Sequence, residues 1–171
     1  ERWVDSLLLL FDRQTAGGCM ATEFLVFQKE LAVGEPIAGL RQMAETPNMI
    51  YYLYVIEEFG SWKICGVISL RSLILADPTF KLADVMRSEF RFAHPSDSAE
   101  DTAQTISEYN LLALPVIDDE GDIDGIVTVD DAMEILLRKN LTRRLPRLFA
   151  QSKNSFHTGL SRSERNRVQR L

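Results

Sequence analysis

Two cysteines, Cys19 and Cys65, and two histidines, His94 and His157, are all that 171 residues offer. No CxxC pair occurs and the histidines stand far apart, so a zinc site lacks its ligands and the thiols read as buried and reduced. No stretch approaches the roughly 18 apolar residues that a membrane-spanning helix needs. A glycine-rich phosphate loop closed by Lys-Ser/Thr is missing, which leaves ATP hydrolysis without its motif. A GxSxG elbow is missing as well, His94 before Pro95 reads as a loop or strand-end residue, and no catalytic role is expected. With Glu1 in place of Met and no basic-then-apolar leader, the chain reads as a piece cut from a longer protein.

What is present supports a core: 46% of residues are hydrophobic and 9% aromatic, which argues against disorder as the main state. The net charge of −6 hides a division. Residues 138–171 carry ten Lys/Arg against Glu164, which leaves nine Lys/Arg against 24 Asp/Glu over 1–137, or +9 and −15. The body is acidic and the tail basic.

Apolar positions Trp3, Val4, Leu7, Leu8 and Phe11 recur at helical spacing before the Thr15-Ala-Gly-Gly18 break. FLVFQ at 24–28 reads as a strand, and Ile37, Leu40, Met43 and Ala44 share one helix face opened by Pro36. YYLYVIEEFGSWKICGVISL reads as a hairpin around Gly60, and residues 71–76 as a short helix stopped by Asp77-Pro78. The pattern then restarts. KLADVM leads to a short RFA strand, Ser98-Ala-Glu-Asp101 offers a capping-box start to a helix, ALPVIDDEGDIDGIVTV repeats the hairpin, and 130–137 repeats the closing helix. VIEEFG matches VIDDEG and GVISL matches GIVTV, with two extra residues in the first turn, so the chain contains an internal duplication.

The duplication bears on EGDIDGIVTVDD at 120–131, whose carboxylates fall near EF-hand spacing. The first copy has Ser61, Trp62 and Ile64 in that turn, and the flanks read as strands where an EF-hand needs helices. An acidic, solvated hairpin tip is the better reading.

Gly66-Val-Ile-Ser69 and Gly125-Ile-Val-Thr128-Val-Asp-Asp131 carry a glycine, two aliphatics, a hydroxyl and a following Asp, and with them the sequence resembles a tandem cystathionine-β-synthase (CBS) domain pair. DRQTAGGCMATEF, IYYLYV, SLRSLILADP and LPVIDDEGDIDGIVTVDDAMEIL, within residues 1–137, are similar to the cytosolic regulatory region of MgtE-type magnesium transporters. The resemblance implies an α/β fold of two β-α-β-β-α repeats, at 15–80 and 81–137, between an N-terminal helix (1–14) of a preceding helical domain and a C-terminal helical extension (138–171). It also implies a non-catalytic, homodimeric sensor on the cytoplasmic face of the membrane. Such a sensor binds Mg2+ among acidic residues and acts on the transmembrane pore domain of its parent protein. The alternative is an adenosine-nucleotide sensor acting on another partner.

Under this resemblance the metal candidates are Asp77, Asp97, Glu100 and Asp101, against plainer roles as an Asp-Pro helix stop and as cap and first-turn acids. The nucleotide candidates, for ATP or AMP, are Ser69, Thr128 and Asp131, against a reading in which Thr128 ends its strand and Asp131 caps the helix. Ser72 stands where the second copy has Asp131, which weakens the first of the two expected sites. The basic tail departs from the acidic linker of the family. Its Arg143, Arg144 and Arg147 suit an anionic membrane surface or a solvated helix extension, and no specific nucleic acid is expected.

Overall fold

The computed structural model describes residues 11–42, 50–58 and 60–144. The expected N-terminal helix therefore lies outside the described residues except for 11–14, as does the tail beyond 144. The elements run α1 (Ala16–Cys19), β1 (Leu25–Gln28), α2 (Gly34–Gln42), β2 (Tyr52–Ile56), β3 (Ile64–Ser69), α3 (Leu70–Leu75), α4 (Leu82–Val85), α5 (Ala99–Glu108), β4 (Ala113–Ile117), β5 (Ile123–Thr128) and α6 (Val129–Arg144). Residues up to Leu136 form one unit holding both repeats, and those from Leu137 onward form another. The mixed α/β architecture is the expected one.

The two hairpins repeat each other residue by residue. Val55 faces Gly66 and Ile56 faces Ile64 in the first; Val116 faces Gly125 and Ile117 faces Ile123 in the second, with the register shifting at the same step in both. Gly60 and Gly121 take φ of +91° and +90° at the two tips, a left-handed turn conformation that glycine adopts without strain. The tips also meet, since Ile64 N–H donates to Gly121 O and Ile123 N–H to Trp62 O.

The copies differ at the opening strand. β1 pairs in parallel with β2 over four residues, whereas the expected RFA strand is reduced to a single parallel bridge, Ala93 to Val116. Two prolines explain the loss. In the first copy Lys29 N–H continues the ladder to Ile56 O at 3.0 Å; its counterpart is Pro95, which has no N–H to donate. On the facing strand Pro115 stands where Tyr54 does, and it too lacks the donor a longer ladder needs.

Each hairpin is completed by the segment that precedes the other repeat. Ala21 exchanges both backbone bonds with Ile126 on β5, at 2.7 and 2.9 Å, and Arg87 does so with Val67 on β3, both at 3.0 Å. A Cβ at Gly125 would lie 2.7 Å from Met20 Sδ, and one at Gly66 would lie 2.7 Å from Met86 Cγ, so these glycines admit the crossing segments. Accordingly Ala16 and Met20 join the second copy's core with Ile106, Leu114, Val116 and Val127, while Leu82 joins the first copy's with Val33, Leu53, Val55, Ile68 and Leu73. Tyr54, Ala113, Ile123 and Ile126 form a third cluster. The cores of the two repeats expected at 15–80 and 81–137 are thus interleaved.

Ser98 Oγ accepts Asp101 N–H at 3.3 Å and opens α5 where the capping pattern places it. Two residues beyond the helix, Asn110 takes φ of +51°, a conformation that Asn tolerates better than most residues.

Candidate functional site

A concavity that gathers polar, charged and aromatic groups together lies at the end of the first copy's hairpin and is closed by residues of the second. Val67, Ile68 and Ser69 at the end of β3 form one wall with Ser72 of α3; Val85 at the end of α4 and Arg87, Glu89, Phe90 and Arg91 of the segment after it form another. Tyr52, Tyr109, Leu111, Ala113 and Pro115 close it, around a volume of about 370 Å³. Arg91 lies flat over the Tyr109 ring, 4.3 Å from its centre, and donates through Nη2 to the Tyr109 hydroxyl at 3.0 Å. This pairing fixes a guanidinium and an aromatic face together at the rim. Arg87 is fixed through its backbone by the bridge to Val67.

The counterpart in the second copy is nearly closed. Glu23, Phe24, Leu25, Ile50, Tyr51, Tyr52, Tyr54, Ala113 and Ile126 leave only about 10 Å³. Hairpin register makes Pro115, opposite Ile126, the equivalent of Tyr54, opposite Val67, and the bridges Arg87–Val67 and Ala21–Ile126 make Arg87 the equivalent of Ala21. The bulky ring of Tyr54, 1% exposed and edge-on to Phe24 at 6.0 Å, fills what Pro115 leaves open. Neither guanidinium has an equivalent, because Ala21 and Leu25 stand in place of Arg87 and Arg91.

Of the nucleotide candidates, Ser69 lines the open cleft, while Thr128 and Asp131 line neither space. Those two are engaged with each other: Asp131 Oδ2 accepts from Thr128 Oγ1 at 2.6 Å and from Thr128 N–H at 3.2 Å, and Thr128 Oγ1 accepts Asp131 N–H at 3.4 Å. This is a reciprocal helix cap. In the first copy Ser69 and Ser72 hydroxyls are 2.7 Å apart and Ser72 N–H donates to Ser69 Oγ at 3.0 Å, so the cap is kept without its carboxylate. Cys19 lies close enough to Asp131 to feel its charge; burial first, and then Asp131, pushes its thiol up to about 11.

The metal candidates are spread over local turns. Asp77 Oδ1 accepts from Thr79 Oγ1 at 2.6 Å and from Thr79 N–H at 2.9 Å, and these bonds hold its carboxyl below the usual range. Asp97 Oδ2 accepts His94 N–H at 2.8 Å, and Asp101 sits in the first turn of α5 with Glu100. Asp97 and Asp101 share a recess with Ser98, Thr102 and Thr105. Among the described residues no three His, Cys, Asp or Glu side chains converge in an arrangement that could hold a metal ion. The residues present therefore do not fit a preformed Mg2+ cage within the described part of one chain.

Arg87, Arg91, Phe90 and Tyr109 escaped the sequence reading. A signal was available: Met20-Ala-Thr-Glu-Phe24 and Met86-Arg-Ser-Glu-Phe90 share M-x-x-E-F, which extends the duplication upstream of both copies and marks the crossing segments as equivalent.

A CBS-domain family model matches residues 82–146. The chain is 37% identical over 129 residues to the magnesium transporter MgtE of Thermus thermophilus and 38% identical over 129 residues to that of Enterococcus faecalis, matching 75% of this chain but only 28% of each relative. The crystal structure of the cytosolic domain of the Mg2+ channel MgtE in complex with ATP superposes with a TM-score of 0.73 at 35% identity, covering 78% of this chain and 53% of that one. Among the described residues no helix is long and apolar enough to cross a membrane. The interleaved duplication, the crossing segments and these matches together show that the chain belongs with the tandem CBS pairs of the MgtE-type magnesium transporter family.

Proposed function

We propose that this chain is the regulatory CBS pair of an MgtE-like magnesium transporter and that its first-copy cleft binds an adenosine nucleotide. The observation that carries this reading is the preformed space of about 370 Å³, walled by aromatic faces and two guanidiniums, in a chain 35% identical to a channel domain crystallised with ATP. Tyr52, Phe90 and Tyr109 offer surfaces to a base, Arg87 and Arg91 offer charge to phosphates, and the Ser69–Ser72 pair offers hydroxyls between them. Binding shifts the pair toward whichever arrangement holds the nucleotide better, and the parent protein's pore responds to that shift.

The magnesium-sensing part of the reading needs carboxylates that the described residues of one chain do not bring together. A second copy supplies them most simply. Ile74 of α3 and Met133 of α6, equivalent positions in the two repeats, are 63% and 58% exposed, and a homodimer would cover them. Two acidic bodies of −15 over residues 1–137 then repel across their contact, and divalent cations relieve the repulsion.

Thermal unfolding of the chain with ATP, AMP, magnesium or calcium, each alone, tests both parts. ATP or AMP raises the midpoint by mass action. A midpoint indifferent to both nucleotides sinks the cleft assignment. Light scattering in the same titration reports the dimer, and magnesium that leaves mass and dimensions unchanged while sodium at equal ionic strength does the same removes the cation role.

A further inference from the structure

The one carboxylate lining the cleft, Glu89, is exposed, and no carboxylate pinned at a helix start lines it. In dinucleotide-binding folds a carboxylate accepts a hydrogen bond from the ribose 2′-hydroxyl, and a nearby arginine accommodates a 2′-phosphate. In the second copy such a carboxylate exists and is rigid, since Asp131 is pinned by both the hydroxyl and the backbone N–H of Thr128. In the first copy, where the space is, the position is Ser72, bonded to Ser69. A serine pair can donate to a phosphate oxygen or accept from a single hydroxyl, but it carries no charge to favour a diol over water.

The remaining charged groups point the same way. Arg87 and Arg91 outnumber Glu89 on the wall, so the lining is net positive. Arg87, Glu89 and Arg91 are all exposed, but a lone solvated carboxylate gains little by exchanging water for a neutral sugar hydroxyl, whereas two guanidiniums bind a phosphate through charge-assisted hydrogen bonds. Arg91 is held over Tyr109 and is ready for an anion without further ordering.

Resting on the nucleotide assignment above, we propose that this cleft recognises the base and the phosphate charge and is indifferent to the ribose 2′-hydroxyl, so that 2′-deoxy and 2′-phosphorylated adenine nucleotides bind as well as the ribonucleotide. The ligand class is an adenine nucleotide defined by anionic charge, with the sugar left unread.

Calorimetric titration of the 171-residue chain with ATP, 2′-deoxy-ATP and 2′-phospho-AMP, with AMP as the reference for the last, tests this without any substitution. The first two are expected to bind with dissociation constants within about threefold of each other, and the 2′-phosphate is expected to bind no more weakly than AMP. In Ser72→Asp the restored carboxylate is expected to favour ATP over 2′-deoxy-ATP by about ten- to a hundredfold, the range of a charged hydrogen bond, and to weaken the 2′-phosphate. A preference of about tenfold or more for ATP in the native chain overturns the inference while leaving the nucleotide assignment standing. If Glu89→Gln abolishes that preference, the diol reader is Glu89. Absence of binding by all three ligands overturns the inference and the assignment together.

Discussion

One cleft of this pair encloses about 370 Å³ and its counterpart about 10 Å³, although the hairpins bounding them share register, bulge position and turn glycine. The hairpin backbone therefore does not decide which site is open. Side-chain volume does: Tyr54 against Pro115, with Phe24 packed edge-on to the tyrosine. Charge follows the same division, with guanidiniums at Arg87 and Arg91 where the closed side has Ala21 and Leu25. Duplication supplied two frames, and divergence of a few residues turned one into a cavity and the other into core.

The comparison breaks most visibly at Tyr54. Tyr54→Ala removes a ring that is 1% exposed, and unfolding by denaturant is expected to show a loss of about 3–5 kcal/mol, the range of large aromatic truncations. A loss below about 1 kcal/mol would mean that the closed side is not core in solution.

Transplanting the ring tests the other direction. Pro115 already accepts Ala93 N–H through its carbonyl at 3.0 Å, a bond that any residue keeps, so Pro115→Tyr alters chiefly the volume of the open cleft. ATP affinity is expected to fall at least about tenfold, roughly 1.4 kcal/mol, with far-UV dichroism unchanged. Unchanged affinity in a folded variant would move the nucleotide elsewhere.

A smaller effect separates the ring of Tyr54 from its hydroxyl. Tyr54 Oη is buried without a hydrogen-bond partner, and burial drives its ionisation well above the usual tyrosine range. Tyr54→Phe keeps the packing and removes the desolvated group, so stability is expected to rise by about 1 kcal/mol. A fall in the unfolding midpoint would show that the hydroxyl is satisfied.

These contrasts also mark what could be read from the sequence. Strand runs, turn glycines and the Ser98 cap are local, dictated by period, backbone freedom and one side-chain-to-backbone bond, and they stand where the pattern puts them. The RFA strand failed as a local reading because pairing needs donors on both partners, and Pro95 and Pro115 remove them. The cleft was the hardest to see. Its walls come from β2, β3, α3, the segment after α4, and β4, and the Gly-aliphatic-aliphatic-hydroxyl signature is present on the closed side as well as the open one. That signature caps a helix on both sides, through Thr128 and Asp131 on the closed one and Ser69 and Ser72 on the open one, and the volumes at 54 and 115 distinguish them.

The least effect is expected at the acidic hairpin tip, where the copies also diverge: Asp124 precedes Gly125, while the first copy has Cys65 before Gly66. Burial, then the charges of Asp118, Asp122 and Glu120, hold the Asp124 carboxyl above its ordinary value of 3.8. The folded chain thus binds this proton more tightly than the unfolded chain, and stability falls as pH rises from 3.8 through the folded value. Asp77 has the opposite sign. Its carboxyl is held low by Thr79, so its contribution is present above 3.8 and is lost as pH falls through the folded value. Asp124→Asn is therefore expected to raise the unfolding midpoint at neutral pH, with the gain vanishing toward pH 3.8, while Asp77→Asn lowers the midpoint at neutral pH. A midpoint for Asp124→Asn that tracks the native chain at every pH would mean that the tip carboxylates are solvated and uncoupled.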